Sequence, residues 1–384
     1  MSLRILHVLS GLGQGGIEKW LVNLTCELQR QHGSEVQSEF LTLLNAGGYY
    51  QGRLEAMGCR VHHCQLVWRR LPTFVWRLAA HLWKGRYDVV HCHADYLSGV
   101  ILPVAHVVGV RTRICHVHAT QFAFQERRPL VRHLAGRVLR RLSVWDGGIC
   151  VGTSQAAIDA YLDGLKHKMR TQVSTCGIPC ADYRTAANTE KRIIRQSLHW
   201  PEQSKVVLHV GRHSEQKNIF YLLEIFAWIL RRDGDAIFAQ AGSGPLTRAL
   251  QDKARALGIS ERVRFLGDRD DVPQLMRAAD LFLFPSLFEG LGLVVIEAQA
   301  VGLPSLISDI IPAEVEVVKG LFNWLPLAAS PETWAERALE LLKLPPADAQ
   351  ESCSFVEASP FSITNSAMAL MALYTAHQSR NQRN

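Results

Sequence analysis

The chain has no C-x-x-C pair, no low-complexity tract, no short-period repeat and no apolar run long enough to cross a bilayer. Each absence removes a class of protein. Its nine cysteines are odd in number and scattered from Cys26 to Cys353, several beside apolar neighbours. A disulfide framework is therefore disfavoured, and buried free thiols in a reducing cytoplasm are expected. The longest apolar stretch, Val100 to Val110, carries Pro103 and His106; it falls short of the roughly 20 residues a spanning helix needs. Arg4 and His7 interrupt the apolar N-terminus, which does not fit a signal peptide. The expectation is a cytoplasmic protein, free or peripheral on the inner face of the cytoplasmic membrane.

Acidic residues are sparse in one half only. Residues 1–184 hold 22 Lys+Arg against 12 Asp+Glu, and residues 185–384 hold 20 against 23, so the net charge of +7 comes from a basic first half. A basic surface suits nucleic acid, an anionic membrane or phosphorylated ligands. Arginine supplies 32 of the 42 cations, which favours planar contacts to phosphate. With 384 residues, 48% of them apolar, the chain has material for two domains with large cores.

Short β-rich runs alternate with longer stretches of helical period, the pattern of parallel sheets covered by helices. Strands are expected at Leu3–Leu9, Glu35–Leu44, Arg60–Leu66, Asp88–His91, Thr112–His116 and Gly148–Val151, then at Lys205–Val210, Ala236–Gln240, Val263–Leu266, Leu281–Phe284 and Ser305–Ile307. The periodicity stops at Gly177 and Pro179 and restarts at Lys205. This predicts two doubly wound α/β domains, residues 1–184 and 185–360, followed by a C-terminal helix and tail at 361–384.

Three loops at strand ends carry chemistry. Gly11-Leu12-Gly13-Gln14-Gly15-Gly16 follows the first strand and opens a helix, which lets backbone N–H groups face a phosphate with no Cβ in the way. The second strand ends Leu43-Leu44-Asn45, without the acidic residue that a nicotinamide enzyme needs for its ribose. In Gly211-Arg212-His213-Ser214-Glu215-Gln216-Lys217-Asn218, two cations five residues apart could converge on a diphosphate or form ordinary surface salt bridges. The third loop, Phe284-Pro285-Ser286-Leu287-Phe288-Glu289-Gly290-Leu291-Gly292-Leu293, leads into a helix carrying Glu297. Glu297 lies in an otherwise apolar helix and needs partners, for which ribose hydroxyls are suitable. Glu289 is repelled by phosphate and should face neutral sugar hydroxyls.

Glu289-x7-Glu297, between Leu283-Phe284-Pro285-Ser286 and Gly302-Leu303-Pro304, resembles the retaining GT-B glycosyltransferases of family 4. The likeness extends to Gly15-Gly16-Ile17-Glu18, Asp88-Val89-Val90-His91 with His93, Gly211-Arg212 with Gln216-Lys217-Asn218, Gly242-Ser243-Gly244-Pro245, and Phe265-Leu266-Gly267 before Asp271-Val272-Pro273. It covers about residues 3–320 and is greatest to bacterial exopolysaccharide glycosyltransferases. The resemblance implies two Rossmann-like domains facing a cleft, with the C-terminal helix packing back on the N-terminal domain. It implies a nucleotide-sugar donor, UDP-sugar favoured over GDP-sugar, held by the second domain, and a glycan or lipid-linked acceptor held by the first.

On matching positions, Arg212 and Lys217 would bind the diphosphate and Glu297 the ribose. Glu289 with the backbone of Gly290, Leu291, Gly292 and Leu293 would hold the transferred sugar. Gly211 and Gly242 belong to the same donor side, Gly15 and Gly16 would close from the other domain, and His118 would contact the donor sugar. The resemblance implies retention of configuration by same-face attack, without metal or other cofactor. Where the family often has Asn-Gly-Ile-Asp at the hinge, this chain has Cys176-Gly177-Ile178-Pro179.

Other signals are weaker. His91-Cys92-His93 and His116-Val117-His118 could suggest a metal, but alternation puts His91 and His93 on one strand face without a further assembled ligand set, so zinc is not expected. Asp268-Arg269-Asp270 and Asp233-Gly234-Asp235 imitate a metal-binding D-x-D motif, but Asp233 to Asp235 reads as a turn and Asp270-Asp271 as a helix start. Arg127, Arg128, Arg132, Arg137, Arg140 and Arg141 form the basic face of an amphipathic helix, either solvated or set against an anionic bilayer. Trp68, Arg69, Arg70, Trp76, Arg77, Trp83 and Lys84 form a second such stretch, in which core packing should account for some of the aromatics. Two other functions fit less well. The Glu289 to Glu297 signature argues against a sugar-nucleotide epimerase, and no aromatic-basic motif supports a nucleic-acid-binding protein.

Overall fold

The computed structural model describes residues 2–44, 46–118, 130–145, 147–163, 165 and 170–376, with backbone alone for 130–134. The chain forms two compact units. The first comprises Met1–Gly177 with Ile363–Asn384, and the second Ile178–Ser362. The division thus falls a few residues before the position near 185 expected from the loss of periodicity.

In the first unit, β1 (Leu3–Leu9), β2 (Val36–Thr42), β3 (Arg60–His63), β4 (Val89–Cys92), β5 (Thr112–Val117), β6 (Ile149–Gly152) and β7 (Arg170–Val173) form a sheet of order β3-β2-β1-β4-β5-β6-β7. Every pair is parallel. The central strands are buried on both faces because helices cover both, which is why they read as continuous Val/Ile/Leu runs. The chain order reverses between β1 and β4, so the loops at their carboxyl ends flank a crevice suited to a ligand.

The second unit repeats the plan with β8 (Val206–Val210), β9 (Ile237–Ala241), β10 (Val263–Gly267), β11 (Leu281–Phe284), β12 (Ser305–Ser308) and β13 (Phe322–Leu325), in the order β10-β9-β8-β11-β12-β13. All its pairs are parallel too. Its switch point lies between β8 and β11, and apolar clusters around Phe282 and Phe226 fill the two faces of the sheet. β7 and β13, which hydropathy does not reveal, are four-residue edge strands with largely exposed or half-buried side chains.

The C-terminal helix, Ile363–Thr375, belongs to the first unit, as expected. The Thr364 hydroxyl donates to Glu27 at 2.8 Å and the Ser366 hydroxyl to the Thr175 carbonyl at 2.7 Å. The Tyr374 hydroxyl meets His91 Nδ1 at 2.6 Å. All nine cysteines are free thiols and all but Cys26 are buried. Among the described residues no helix is long and apolar enough to cross a membrane.

Two expectations about basic segments are corrected. Arg140 does not lie on an open basic face: it is buried, and its guanidinium donates to the Tyr161 carbonyl at 3.0 Å. Burial there needs that bond, because an unpartnered guanidinium would be costly. Arg137 and Arg141 are exposed, whereas Arg127, Arg128 and the side chain of Arg132 lie outside the described residues. In the other stretch, core packing accounts for none of Trp68, Trp76 and Trp83. All three are exposed, because Phe74, Leu78 and Leu82 occupy the core-facing stripe of their helix.

Candidate functional site

The loops after β8 and β11 emerge on either side of the switch point of the second sheet, and they are tied together. Leu287 N donates to the Gln216 carbonyl at 2.8 Å, and Gln216 Nε2 donates to the Phe288 carbonyl at 2.9 Å. Across this junction the Lys217 ammonium meets the Glu289 carboxylate at 2.5 Å, with both side chains largely buried. The same ammonium sits 4.7 Å from the centre of the Phe284 ring, a cation–π placement that fixes the lysine stem.

Glycines make this approach possible. A Cβ on Gly211 would come within 3.3 Å of the Lys217 methylenes, so the bare backbone gives the lysine its path. Gly242 has φ of +127° and a Cβ there would lie 2.2 Å from the Gly211 carbonyl oxygen. Gly242 therefore permits both the backbone conformation and the contact between the β8 and β9 loops. Gln240 braces this junction, donating to the Gly211 carbonyl at 2.9 Å while its side-chain oxygen meets His213 Nε2.

Arg212 is exposed, and its guanidinium has no hydrogen-bond or salt-bridge partner among the described residues. Lys217, by contrast, is already paired. The two cations that sequence treats alike differ in state: one is committed to a carboxylate, the other open to an anion.

Gly292, at φ +76°, starts the short helix Leu293–Gln299, with Gly290 and Leu291 forming the turn before it. Glu297 is buried in that helix and faces the phenol of Tyr183. Burial first, and then the Glu297 charge, push the Tyr183 phenol well above its ordinary pKa. Tyr183, whose phenol is near enough to Glu297 for its charge to be felt, comes from the helix Cys180–Ala187, more than a hundred residues away in sequence. No local pattern marks it.

The D-x-D look-alikes have structural partners. Asp233 accepts from the backbone N of Asp235 at 3.2 Å and Asp268 from the Ser243 hydroxyl at 2.6 Å, while Asp271 at the helix start accepts from Arg269 at 2.7 and 2.6 Å.

In the first unit, Gly15 precedes the helix Gly16–His32, and the Glu18 carboxylate folds back to where a Gly15 Cβ would stand. A side-chain anion thus occupies part of the helix start that sequence assigns to a phosphate.

β1, β4 and β5 bring five histidines together. His7 Nδ1 lies 3.2 Å from His93 Nε2, His91 Nε2 lies 3.0 Å from His116 Nδ1, and His93 Nδ1 lies 3.0 Å from His118 Nε2. Trp20 closes the group edge-on, 5.4 Å from His116 between ring centres. Burial drives His7 and His118 down to about 3. Burial, and then repulsion from neighbouring rings, lowers His91, His93 and His116 well below the usual range. The rings are neutral at neutral pH and pair as donor and acceptor.

Ring nitrogens of His7, His91 and His93, and of His93, His116 and His118, lie within 4.8 Å of one another. The expectation that no further ligand set assembles around His91 and His93 is therefore corrected: His7 joins them, and His116 and His118 gather on His93. Only the strand order β1-β4-β5 reveals the cluster. Cys176, the departure at the hinge, places its thiol 3.8 Å from His118 Nδ1, so both ring nitrogens of His118 face protein groups.

Residues 15–166 match the family of glycosyl transferase 4-like domains, and residues 190–354 match the glycosyl transferases group 1. The chain is 32% identical over 343 residues to the putative glycosyltransferase EpsF of Bacillus subtilis, covering 87% of this chain and 86% of that one. It is 28% identical over 239 residues, 59% of each chain, to the Escherichia coli UDP-Gal:alpha-D-GlcNAc-diphosphoundecaprenol alpha-1,3-galactosyltransferase. Among solved structures, Anabaena Alr3699/HepE in complex with UDP superposes with a TM-score of 0.78 at 19% identity, over 97% of this chain and all of that one. With the Rossmann-like sheets and the tied loops at the second switch point, these likenesses identify the chain as a member of the GT-B glycosyltransferases of family 4.

Proposed function

We propose that this glycosyltransferase moves a hexose from a UDP-sugar to a lipid-linked polysaccharide precursor, with retention of configuration and without a metal ion. The observation that carries the donor reading is the junction of Lys217 with Glu289 beside an unpaired Arg212. A departing nucleoside diphosphate develops negative charge, and preorganised cations stabilise it without reorganisation. Removing one such group typically costs about 3 kcal/mol of barrier. Arg212 offers an uncommitted guanidinium for bidentate contact, while Lys217 is held by Glu289 until a stronger anion competes for it. The acceptor hydroxyl attacks the face the diphosphate leaves, and its proton passes to the departing phosphate.

Tyr183 holds the Glu297 carboxylate in place for the ribose hydroxyls. His118, its two ring nitrogens held by His93 and Cys176, meets the sugar with the edge of a neutral ring rather than as a cation. UDP is favoured because UDP-linked proteins stand among both the sequence relatives and the structural neighbours. The diphosphoundecaprenol substrate in the name of the Escherichia coli relative supports the lipid-linked acceptor and, with it, a peripheral position on the membrane.

A thermal-shift panel of UDP-, GDP- and ADP-sugars tests this reading. A donor raises the melting temperature by mass action, and Glu297→Gln should reduce that rise. No response to any nucleotide sugar, or an equal response in the variant, would overturn the donor site. The anomeric configuration of the product decides retention, and activity in the presence of a chelator decides metal independence.

A further inference from the structure

We infer that the outward face of the helix Leu71–Gly85, with the turn before it, docks on an anionic phospholipid surface. The helix buries Phe74, Leu78 and Leu82 in the core of the first unit. Trp76 and Trp83 are 71% and 70% exposed, and Trp68, in the preceding turn Trp68–Arg70, is 53% exposed. Trp76 and Trp83 lie two turns apart, so they share one azimuth to within about 20°. That azimuth is opposite the buried stripe.

Two large aromatic side chains with most of their area in water oppose the trend that buries such groups, and the helix gains no packing from them. Arg77 and Lys84, each one residue further on, form a parallel exposed row. Between Glu55 and Asp88 the chain carries six Lys or Arg and no acidic residue, so no carboxylate in this segment offsets the charge.

Tryptophan beside Arg and Lys on one helix face is the composition of a membrane interface. The indole sits among headgroups with its N–H hydrated, and the cations meet lipid phosphates. A second copy of this chain is the poorer occupant. A two-fold contact would set this cationic segment against itself with no acid to pair it.

The test is co-sedimentation of the full chain with mixed phosphatidylglycerol–phosphatidylcholine vesicles and with pure phosphatidylcholine vesicles, at low and high salt. Wild type should bind the mixed vesicles, more weakly at high salt, and bind the neutral ones poorly. Trp76→Ala/Trp83→Ala should lower the partition coefficient about tenfold, and Arg77→Glu/Lys84→Glu should abolish the preference for phosphatidylglycerol. Both variants should keep the wild-type melting temperature, since the substituted side chains lie outside the core.

Wild-type protein that stays in the supernatant with both vesicles overturns the proposal. So do variants that partition like wild type. A lipid-free dimer in light scattering that Trp76→Ala/Trp83→Ala dissolves would assign the face to a second copy. Retention on single-stranded oligonucleotide in place of vesicles would assign it to nucleic acid.

Discussion

His93 holds His118 by its ring: Nδ1 of the first lies 3.0 Å from Nε2 of the second, with the Cys176 thiol on the far side of His118. Burial keeps His118 neutral down to about pH 3, so the group proposed to meet the donor sugar does not change charge in the physiological range. The rate of sugar transfer should therefore show no inflection from His118 between about pH 5 and 7. His93→Gln should lower kcat by about tenfold with little change in donor KM, because His118 loses the partner that sets its tautomer and orientation. An inflection near pH 6.5 that vanishes in His118→Gln would refute the neutral assignment.

Lys217 and Glu289 should behave as one unit. Lys217→Ala is expected to cost about 3 kcal/mol in kcat/KM, and Glu289→Gln a smaller amount. The double variant should fall short of the sum of the single effects by about 1 kcal/mol or more, since the first substitution already breaks the contact. Additive losses would mean that the 2.5 Å pair is not maintained in the reacting enzyme.

Gly242→Ala is expected to destabilise the second unit by about 2–3 kcal/mol. The added methyl meets the Gly211 carbonyl and the backbone is held at φ +127°. Calorimetry with and without UDP should show a lower melting temperature and weaker UDP stabilisation. An unchanged transition would show that the β8 and β9 loops can separate at little cost.

Arg140→Ala should act on stability. It removes a buried guanidinium from the Tyr161 carbonyl, a charge-assisted bond worth about 1.5–3 kcal/mol. The melting temperature of the first unit should drop by several degrees while vesicle partitioning stays at the wild-type level.

The histidine cluster makes the first unit sensitive to acid. His7 takes up a proton near pH 6.5 when unfolded and only near about 3 when folded. Below 6.5 the unfolded chain therefore binds more protons, and stability falls as pH drops through that window. At pH 4.5 the loss from His7 alone is about 2–3 kcal/mol. Amide exchange of β1 and β4 at pH 7 and 4.5 measures it, and His7→Phe should narrow the difference.

Much of the architecture was legible along the chain because burial on both sheet faces leaves unbroken apolar runs, as in Leu3–Leu9 and Leu281–Phe284. β7 and β13 were not, since an edge strand such as Arg170–Val173 has little apolar surface to bury and keeps a polar, exposed pattern. The loops carrying Gly15, Arg212, Lys217 and Glu289 could be placed for the same reason: glycine-rich turns follow strands whose ends are plain. The exposure of Trp76 and Trp83 could not, because a tryptophan at helical spacing reads as core until the helix's inward stripe is known.

Local sequence settled which segments are the buried strands, where the loops lie and which half carries the charge, because these depend on neighbours within a few residues. The pairing of Lys217 with Glu289, the phenol of Tyr183 on Glu297, and the union of His7 with His93 and His118 are of another kind. The first and the last arise because crossover connections set β11 beside β8 and β4 between β1 and β5, and the second because the helix Cys180–Ala187 brings Tyr183 to Glu297. Contacts between residues 25 to 114 positions apart follow from the order of strands in a sheet and the packing of helices on it, properties that no short window of the chain encodes.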